Sequence, residues 1–233
     1  MSEIAVSDPK TVERAAELLK EQNEIRRAKV DRLFAVLLIV EWIACIIAAM
    51  VVSPYAWEGK EHVLHMHVWV AILGGGGIAI LPVMLAFLLP GTKLTRHVIA
   101  ASQMLFSALL IHLSGGRIET HFHVFGSLAF LAFYLDWQVL MTATVVVAAD
   151  HFLRGIYWPE SVYGVSNPEW WRFLEHAGWV AFEDVFLIWS CIFGQREIAA
   201  AAVRQASIEH LSEQEQLKTA ALEMAMAEMG VTA

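Results

Sequence analysis

The sequence has few charged residues and few cysteines, and both shortages restrict the class of protein. Charged residues are 17% of the 233 positions and hydrophobic residues 58%, with a mean hydropathy of +0.54, whereas soluble domains carry about 25% charged residues. The two cysteines, Cys45 and Cys191, lie in apolar runs, so buried thiols are expected rather than a disulfide or a thiolate metal site. The expected class is an integral membrane protein.

Further absences exclude other functions. No basic patch with interleaved aromatic residues is present, so nucleic-acid binding is not expected. The run Gly74 to Gly77 lacks both the preceding strand and the GK[ST] tripeptide of a phosphate loop, and it predicts close helix packing instead. The first 32 residues are charged and amphipathic and carry no signal-peptide pattern, which places the N-terminus inside.

Six apolar runs, most near the roughly 20 residues that a helical span needs, predict six transmembrane helices. The runs are Leu33 to Val52, Val63 to Leu89, Val98 to Leu113, Phe122 to Leu135, Val139 to Leu153 and Ala177 to Phe193. The fourth and fifth are short, so they form either two brief spans or one re-entrant hairpin. Basic residues before the first span, between the second and third, and after the sixth place both termini in the cytoplasm, in the bacterial inner membrane.

The expected fold class is therefore all-α: a six-transmembrane-helix bundle with a long cytoplasmic C-terminal helix. Residues 1–32 are expected to form a cytoplasmic amphipathic helix, 33–194 the six-span membrane domain, and 195–233 a cytoplasmic helix. A partly regular apolar stripe on that last segment favours a coiled coil, and hence a homo-oligomer, although its register slips near 212–216. Outside the membrane, we expect a short loop at 54–61 and an aromatic-rich interfacial lid at 154–175.

Histidines are concentrated at one face of this topology. Eight of the ten fall at the predicted outer ends of spans two to six: His62, His65, His67, His112, His121, His123, His151 and His176. Histidine is the commonest metal ligand and titrates nearest neutral pH, so the grouping indicates an outward-facing transition-metal site. His97, in the inner turn, and His210, on the cytoplasmic helix, are expected to stay outside it.

Helical spacing and nearby carboxylates extend the site. Residues two apart on a helix, as in both HxH pairs, point about 200° apart, so more than one centre is expected. Glu119 lies four residues from His123 and could pair with it. Ionised carboxylates within a span need compensation, which a metal would supply. The candidate metal ligands are His65, His67, His112, His121, His123, His151, His176, Glu183 and Asp184.

Two carboxylates outside that ligand set face the same cost of burial. Asp150 adjoins His151, where it could fix the second ring nitrogen. Glu41 lies within the first span, and the sequence identifies no partner for it. The ligand types leave Zn, Cu and Fe undecided, and haem between opposed histidines is an alternative cofactor. In a metal-free alternative, Arg117 and Arg154 neutralise carboxylates at the outer level.

Three segments resemble the polytopic N-terminal sensor region of bacterial signalling proteins. They are GGRIETHFHVFGSLAFLAFYLDWQVL, VVVAADHFLRGIYWPESVYGV and LEHAGWVAFEDVFL, and the resemblance covers roughly residues 60 to 195. In that group, comparable regions precede histidine kinase, chemotaxis-receptor or diguanylate cyclase modules, as in two-component systems. The resemblance implies that the helix after Gln195 transmits a signal inward to a cytoplasmic module or partner. None of those modules occurs here, so the chain is an excerpt or a stand-alone relative.

The expected function is a sensory input domain without catalytic activity, embedded in the lipid bilayer, whose metal site faces the periplasm. The main alternative is an integral-membrane non-haem iron oxidoreductase, against which the familiar HxxxH and HxxHH boxes are missing. A metal-free pH sensor or a transporter is the remaining alternative. The inner halves of spans two to five lack the ionisable residues of a transport path.

Overall fold

Helices make up most of the chain, together with one short β-hairpin. The computed structural model describes residues 8–228 and residue 230, so the outermost residues of the two expected cytoplasmic segments lie outside the described part. The α-helices are α1 (Pro9–Val52), α2 (Met66–Trp69), α3 (Gly75–Leu88), α4 (Lys93–Leu113), α5 (Ile118–Leu131), α6 (Trp137–Tyr157), α7 (Glu160–Tyr163) and α8 (Arg172–Glu228). A π-helical turn, Val70–Gly74, joins α2 to α3, and a 3-10 turn, Ala132–Tyr134, follows α5.

The chain divides into two compact units, and the smaller one is a pair of helical segments. Its described residues are 8–24, 194–228 and 230. Ala15 and Leu18 of α1 are buried against Ala202 and Ala206 of α8, as the helical spacing of apolar residues in the N-terminal segment predicts. Gln195 Nε2 donates to Asn23 Oδ1 at 3.2 Å.

The larger unit, residues 25–193, is organised around α4. In its most apolar stretch, 67% of α4 is buried, against 33% or less for the other long apolar helices. Ile99, Met104 and Ile111 are fully buried, as are Leu128 of α5 and Leu140 of α6. Small and polar side chains on the same helix, Ser102, Gln103 and Ser107, are also buried. This central helix positions the helices around it.

Five helices of the described part are long and apolar enough to cross a membrane. The fourth predicted span corresponds to α5, which has 14 residues and is shorter than the thickness of a bilayer requires unless the 3-10 turn extends it. Six spans were predicted, and the described part has five helices of spanning length. The fifth predicted span lies within the 21-residue α6.

Two local predictions can be compared directly with the structure. The segment expected to be an outer loop instead forms a hairpin in which β1 (Tyr55–Glu58) pairs antiparallel with β2 (Glu61–Leu64). The interpretation of the glycine run as a packing feature is confirmed: a Cβ on Gly75 would lie 2.6 Å from the Trp42 ring. The Trp42 indole also donates to the Ala71 carbonyl at 3.1 Å, in the π-helical turn.

A buried hydrogen-bonded carboxylate joins three segments at the end of the bundle expected to face the cytoplasm: α1, the 3-10 turn and the turn before α4. Asp31 of α1 accepts from the Tyr134 hydroxyl at 2.6 Å and from the backbone N–H of Gly91 at 2.6 Å. Arg96 Nε lies 2.9 Å from Asp136 Oδ2 nearby. Because unmet buried polar groups are costly, these contacts hold the end of the bundle together.

Replacing Tyr134 by Phe is expected to destabilise the protein. The substitution removes one of the two donors to a buried carboxylate, which costs about 1–3 kcal/mol. Thermal unfolding in detergent would measure it. Tyr157→Phe is the control, since Tyr157 is 82% exposed; equal effects of the two substitutions would contradict the assigned role of Asp31.

Candidate functional site

Three of the predicted histidines come together at one end of the larger unit. His121 near the start of α5, His151 near the end of α6 and His176 near the start of α8 form this group, the His121–His151–His176 trio. The ring centroids of His121 and His176 are 5.2 Å apart, those of His121 and His151 5.5 Å, and those of His151 and His176 5.9 Å.

The backbone determines which ring nitrogen is free in each member of the trio. The Nδ1 atom lies within hydrogen-bond distance of the carbonyl four residues earlier: 2.9 Å for His121, 3.1 Å for His151 and 3.0 Å for His176. A carbonyl only accepts, so each Nδ1 carries the proton and each neutral ring keeps its lone pair on Nε2. In His121 this Nε2 is buried and has no hydrogen-bond partner.

A carboxylate supports one member of the trio. Asp150 Oδ2 lies 3.3 Å from His151 Nδ1, the position that the sequence suggested for a carboxylate fixing the second ring nitrogen. The same carboxylate accepts two hydrogen bonds from Arg154, at 2.7 Å and 2.6 Å. The charge of Arg154 therefore compensates that of Asp150 without a metal, which is the role that the metal-free alternative gave to Arg154.

The ring spacing can be compared with what one metal ion needs. Three imidazoles that bind one ion at about 2.0–2.1 Å place their centroids roughly 5.2–5.6 Å apart, close to the spacing within the trio. Among residues 8–228, however, no group of three or more His, Cys, Asp or Glu side chains has an arrangement that could hold a metal ion. Metal binding at the trio therefore requires the rings to reorient.

The trio lines one end of a cavity between α5, α6 and α8. The cavity has a volume of about 290 Å³, and Asp184 and Thr144 also line it. Thr144 donates to Asp184 Oδ2 at 2.6 Å, while Asp184 Oδ1 is buried without a partner. Asp184 lies eight residues beyond His176, about 12 Å along the helix axis, and so does not belong to the trio. Glu183 is not among the residues that line the cavity.

A second group of predicted histidines lies apart from the trio. The ring of His67 is 4.3 Å from that of His65 and 4.9 Å from that of His112. His65 Nδ1 accepts from the backbone N–H of His67 at 3.1 Å, so a neutral His65 carries its proton on Nε2 and has no lone pair left for a metal. His67 and His112 contact the hydroxyls of Ser53 and Ser161.

His123 points away from His121, as the HxH spacing predicted, and takes part in a polar network among α1, α4 and α5. His123 Nε2 lies 3.2 Å from Glu41 Oε1, and Ser107 Oγ is 2.8 Å from His123 Nδ1. Gln103 Nε2 donates to Glu41 and, at 3.1 Å, to Ser127. The structure thus supplies the partners of Glu41 that the sequence did not identify.

The other histidines have local partners. His62 stacks on Tyr55 of the hairpin, with centroids 4.3 Å apart. As predicted, His97 and His210 do not join either group: His97 contacts Thr142 Oγ1 at 2.8 Å, and His210 contacts Gln214 at 2.9 Å.

The suggested pair between Glu119 and His123 is wrong. Glu119 instead accepts from Arg117 at 3.2 Å, and this hydrogen bond holds the pKa of the Glu119 carboxyl below its ordinary value. Both side chains are exposed, so the pair contributes little to stability.

Sequence reasoning missed several residues of these sites. Gln103, Ser107 and Thr144 are ordinary helix residues in the sequence, and only their packing against Glu41, His123 and Asp184 makes them part of a site. An available signal was the set of polar residues in the third predicted span, which an otherwise apolar helix rarely carries without partners.

The segment predicted to be an interfacial lid, residues 154–175, is positioned by a contact that the sequence did not predict. The backbone of Gly116, with φ +74°, packs directly against that of Gly164, with φ +68°. A Cβ on Gly116 would overlap the Gly164 backbone and lie 2.8 Å from the Val162 carbonyl. This contact places Tyr163 beside His176, with ring centroids 5.5 Å apart, and burial raises the pKa of the Tyr163 phenol.

Gly116→Ala is expected to destabilise the lid. The left-handed conformation alone costs a residue with a Cβ about 1–2 kcal/mol, and the backbone overlap adds to it. Thermal unfolding and limited proteolysis of the lid would detect the change. Gly77→Ala is the matched control, because a Cβ there meets nothing within 4 Å; equal effects of the two would contradict the contact.

Gln103→Leu is expected to weaken the network around Glu41. The substitution leaves a buried carboxylate without its amide donor, at a cost of about 1–3 kcal/mol, measurable as a lower unfolding temperature in detergent. Gln138→Leu, at an exposed position, should have little effect. A network that did not depend on Gln103 would give the same small change for both substitutions.

Comparison with known proteins gives one similar relative. No protein-family model matches the chain, and no solved structure matches it. The chain is 36% identical over 81 residues to transducer protein Htr8 of Halobacterium salinarum, an alignment that covers 33% of this chain and 13% of the relative. The alignment thus spans about an eighth of that protein's length.

Proposed function

We propose that this protein is a membrane sensory input domain that transmits a signal to a cytoplasmic output. Its long apolar helices suit a membrane protein, and part of the chain is similar to a transducer protein. We assign the chemistry of sensing to the polar groups buried in the larger unit, because ionisable groups within a membrane are costly and commonly mark functional sites.

We further propose that the His121–His151–His176 trio is a transition-metal site. The observation that carries this proposal is the common hydrogen bond of each Nδ1 to its own helix, which leaves all three Nε2 lone pairs for a metal. The spacing of the rings supports it, and a reorientation of the rings on binding is part of the proposal. A bound metal would supply a position for a small ligand or a change of redox state.

This proposal uses fewer metal ligands than the sequence suggested. Asp184 lies too deep to share an ion with His176, Glu183 does not line the cavity, and His123 faces Glu41. A second, weaker centre would use His67 and His112. Zn, Cu and Fe remain alternatives for the ion, since imidazole suits all three.

Helix α8 provides the route for the signal. It carries His176 in its first turns, lines the cavity as far as Ile188, and continues to Glu228. A ligand that moves His176 would displace this helix relative to α5 and α6, which is a known means of signalling. The exposed Ile208, Leu211 and Leu217 would then pair in an oligomer or bind a signalling module.

A metal-free pH sensor is the second candidate, and one observation favours it. The Arg154 guanidinium lies 2.6 Å from the Asp150 carboxylate, so no metal is needed to compensate this carboxylate. In this alternative the histidines respond directly to external pH.

Metal analysis of the purified, folded protein would test the main proposal. We expect stoichiometric bound metal in the wild type and its loss in His121→Ala, His151→Ala and His176→Ala, because each removes one ligand. His97→Ala should retain the metal, since the His97 ring contacts Thr142 Oγ1 and belongs to neither histidine group.

Circular dichroism and size-exclusion chromatography would establish that each variant is folded. A folded wild type without metal would reject the metal site and favour the pH sensor. Equal loss in the three trio variants and in His97→Ala would reject the trio as the ligand set.

A further inference from the structure

The cavity beside the trio is a slot with two polar regions separated by apolar walls. The trio forms one region and the Thr144–Asp184 pair the other, and Met141 and Ile188 line the slot about one turn beyond that pair. Two turns of α6 separate Thr144 from His151, and two turns of α8 separate Asp184 from His176, so the two polar regions are about 10–12 Å apart. Its volume of about 290 Å³ is at the lower end for small-molecule pockets, which suits a single ring system.

The walls and the open side of the slot are apolar. Val124, Phe125 and Val147 line its middle. Met141 and Val185 line it too, and they are 37% and 65% exposed, so they lie where the cavity meets the outer surface of the helices. In a membrane that surface faces lipid, and a ligand would enter from the bilayer rather than from water.

The deeper polar region of the slot has an unmet hydrogen-bond acceptor. Asp184 is 5% exposed. Thr144 bonds its Oδ2, but Oδ1 is buried without a partner, and a buried acceptor without a donor is costly. A ligand with a hydrogen-bond donor would satisfy it. The donor should be neutral, because a charged ammonium would not dissolve in the bilayer from which the ligand enters.

We propose that this cavity binds a membrane-dissolved ring compound of the phenol or hydroquinone class, whose hydroxyl donates to Asp184 Oδ1. The ring packs between Val124, Phe125 and Val147, and its other edge faces the trio. The inference rests on the proposed sensory function, for which it supplies the class of ligand; no chemical conversion of that ligand is part of it.

Two probes would test the proposal, a phenol and its methyl ether, in which a methyl group replaces the hydroxyl hydrogen. 4-Propylphenol has a donor, and 4-propylanisole has the same ring and chain without one. Binding of each to the protein in lipid nanodiscs, corrected for partition into empty nanodiscs, would be measured by calorimetry. We expect the phenol to bind at least about tenfold more tightly, the value of a hydrogen bond to a charged group.

The neighbouring carboxylate provides a matched control. Asp184→Ala should reduce phenol binding to the level of the anisole, whereas Glu183→Gln should leave the preference unchanged because Glu183 does not line the cavity. Circular dichroism of each variant would show that the helices are retained.

Several outcomes would overturn the proposal: no binding of either probe, equal binding of both, or an equal loss of preference in Asp184→Ala and Glu183→Gln. Metal analysis of the same samples separates this result from the metal proposal. Metal-free protein that still prefers the phenol through Asp184 would retain the cavity site and reject the metal. Metal-containing protein that binds both probes equally would support the metal site and reject the cavity site.

Discussion

The hydrogen bond from an imidazole Nδ1 to the carbonyl one turn earlier is the interaction on which the candidate site depends. It occurs in His121, His151 and His176, fixes the same tautomer in all three, and uses only the backbone of each histidine's own helix. Each neutral ring therefore has its lone pair on Nε2 before any ligand arrives, so a metal that binds there has to turn the rings without changing their tautomer. The positions of α5, α6 and α8 then determine how closely the three rings approach.

Those positions in turn depend on α4, the most buried of the long helices. Its apolar residues pack against α5 and α6, while Gln103 and Ser107 bond to Glu41 and His123. The polar contacts specify the rotation of each neighbouring helix more narrowly than apolar packing does, because a misplaced partner leaves a buried polar group unmet. The same requirement explains why Asp31 has two donors at the opposite end of the bundle.

Much of the architecture could be predicted from the sequence, because the length and apolarity of a helical span follow from the thickness of a bilayer. The extent of α5, the hairpin at 55–64 and the Arg117–Glu119 pair could not. A 14-residue helix and a longer one have similar apolar patterns, so the sequence does not show where α5 ends. Glu119 can reach both Arg117, two residues earlier, and His123, four residues later, so the sequence does not show which of them it contacts. The separation of His121 from His123 was predictable, since residues two apart on a helix point in different directions.

The sequence alone determined that the chain is apolar and predicted that it is helical, that eight of its ten histidines lie at one level, and that Glu41, Glu183 and Asp184 need compensating partners. Only the tertiary structure decided which histidines meet. It divided the eight into a trio, a second group around His67, and separate partners for His62 and His123. It also gave Asp184 an unpartnered oxygen in a cavity. The physical reason is that helix periodicity fixes the direction of a side chain about its own axis, whereas the neighbour in that direction depends on how the helices pack.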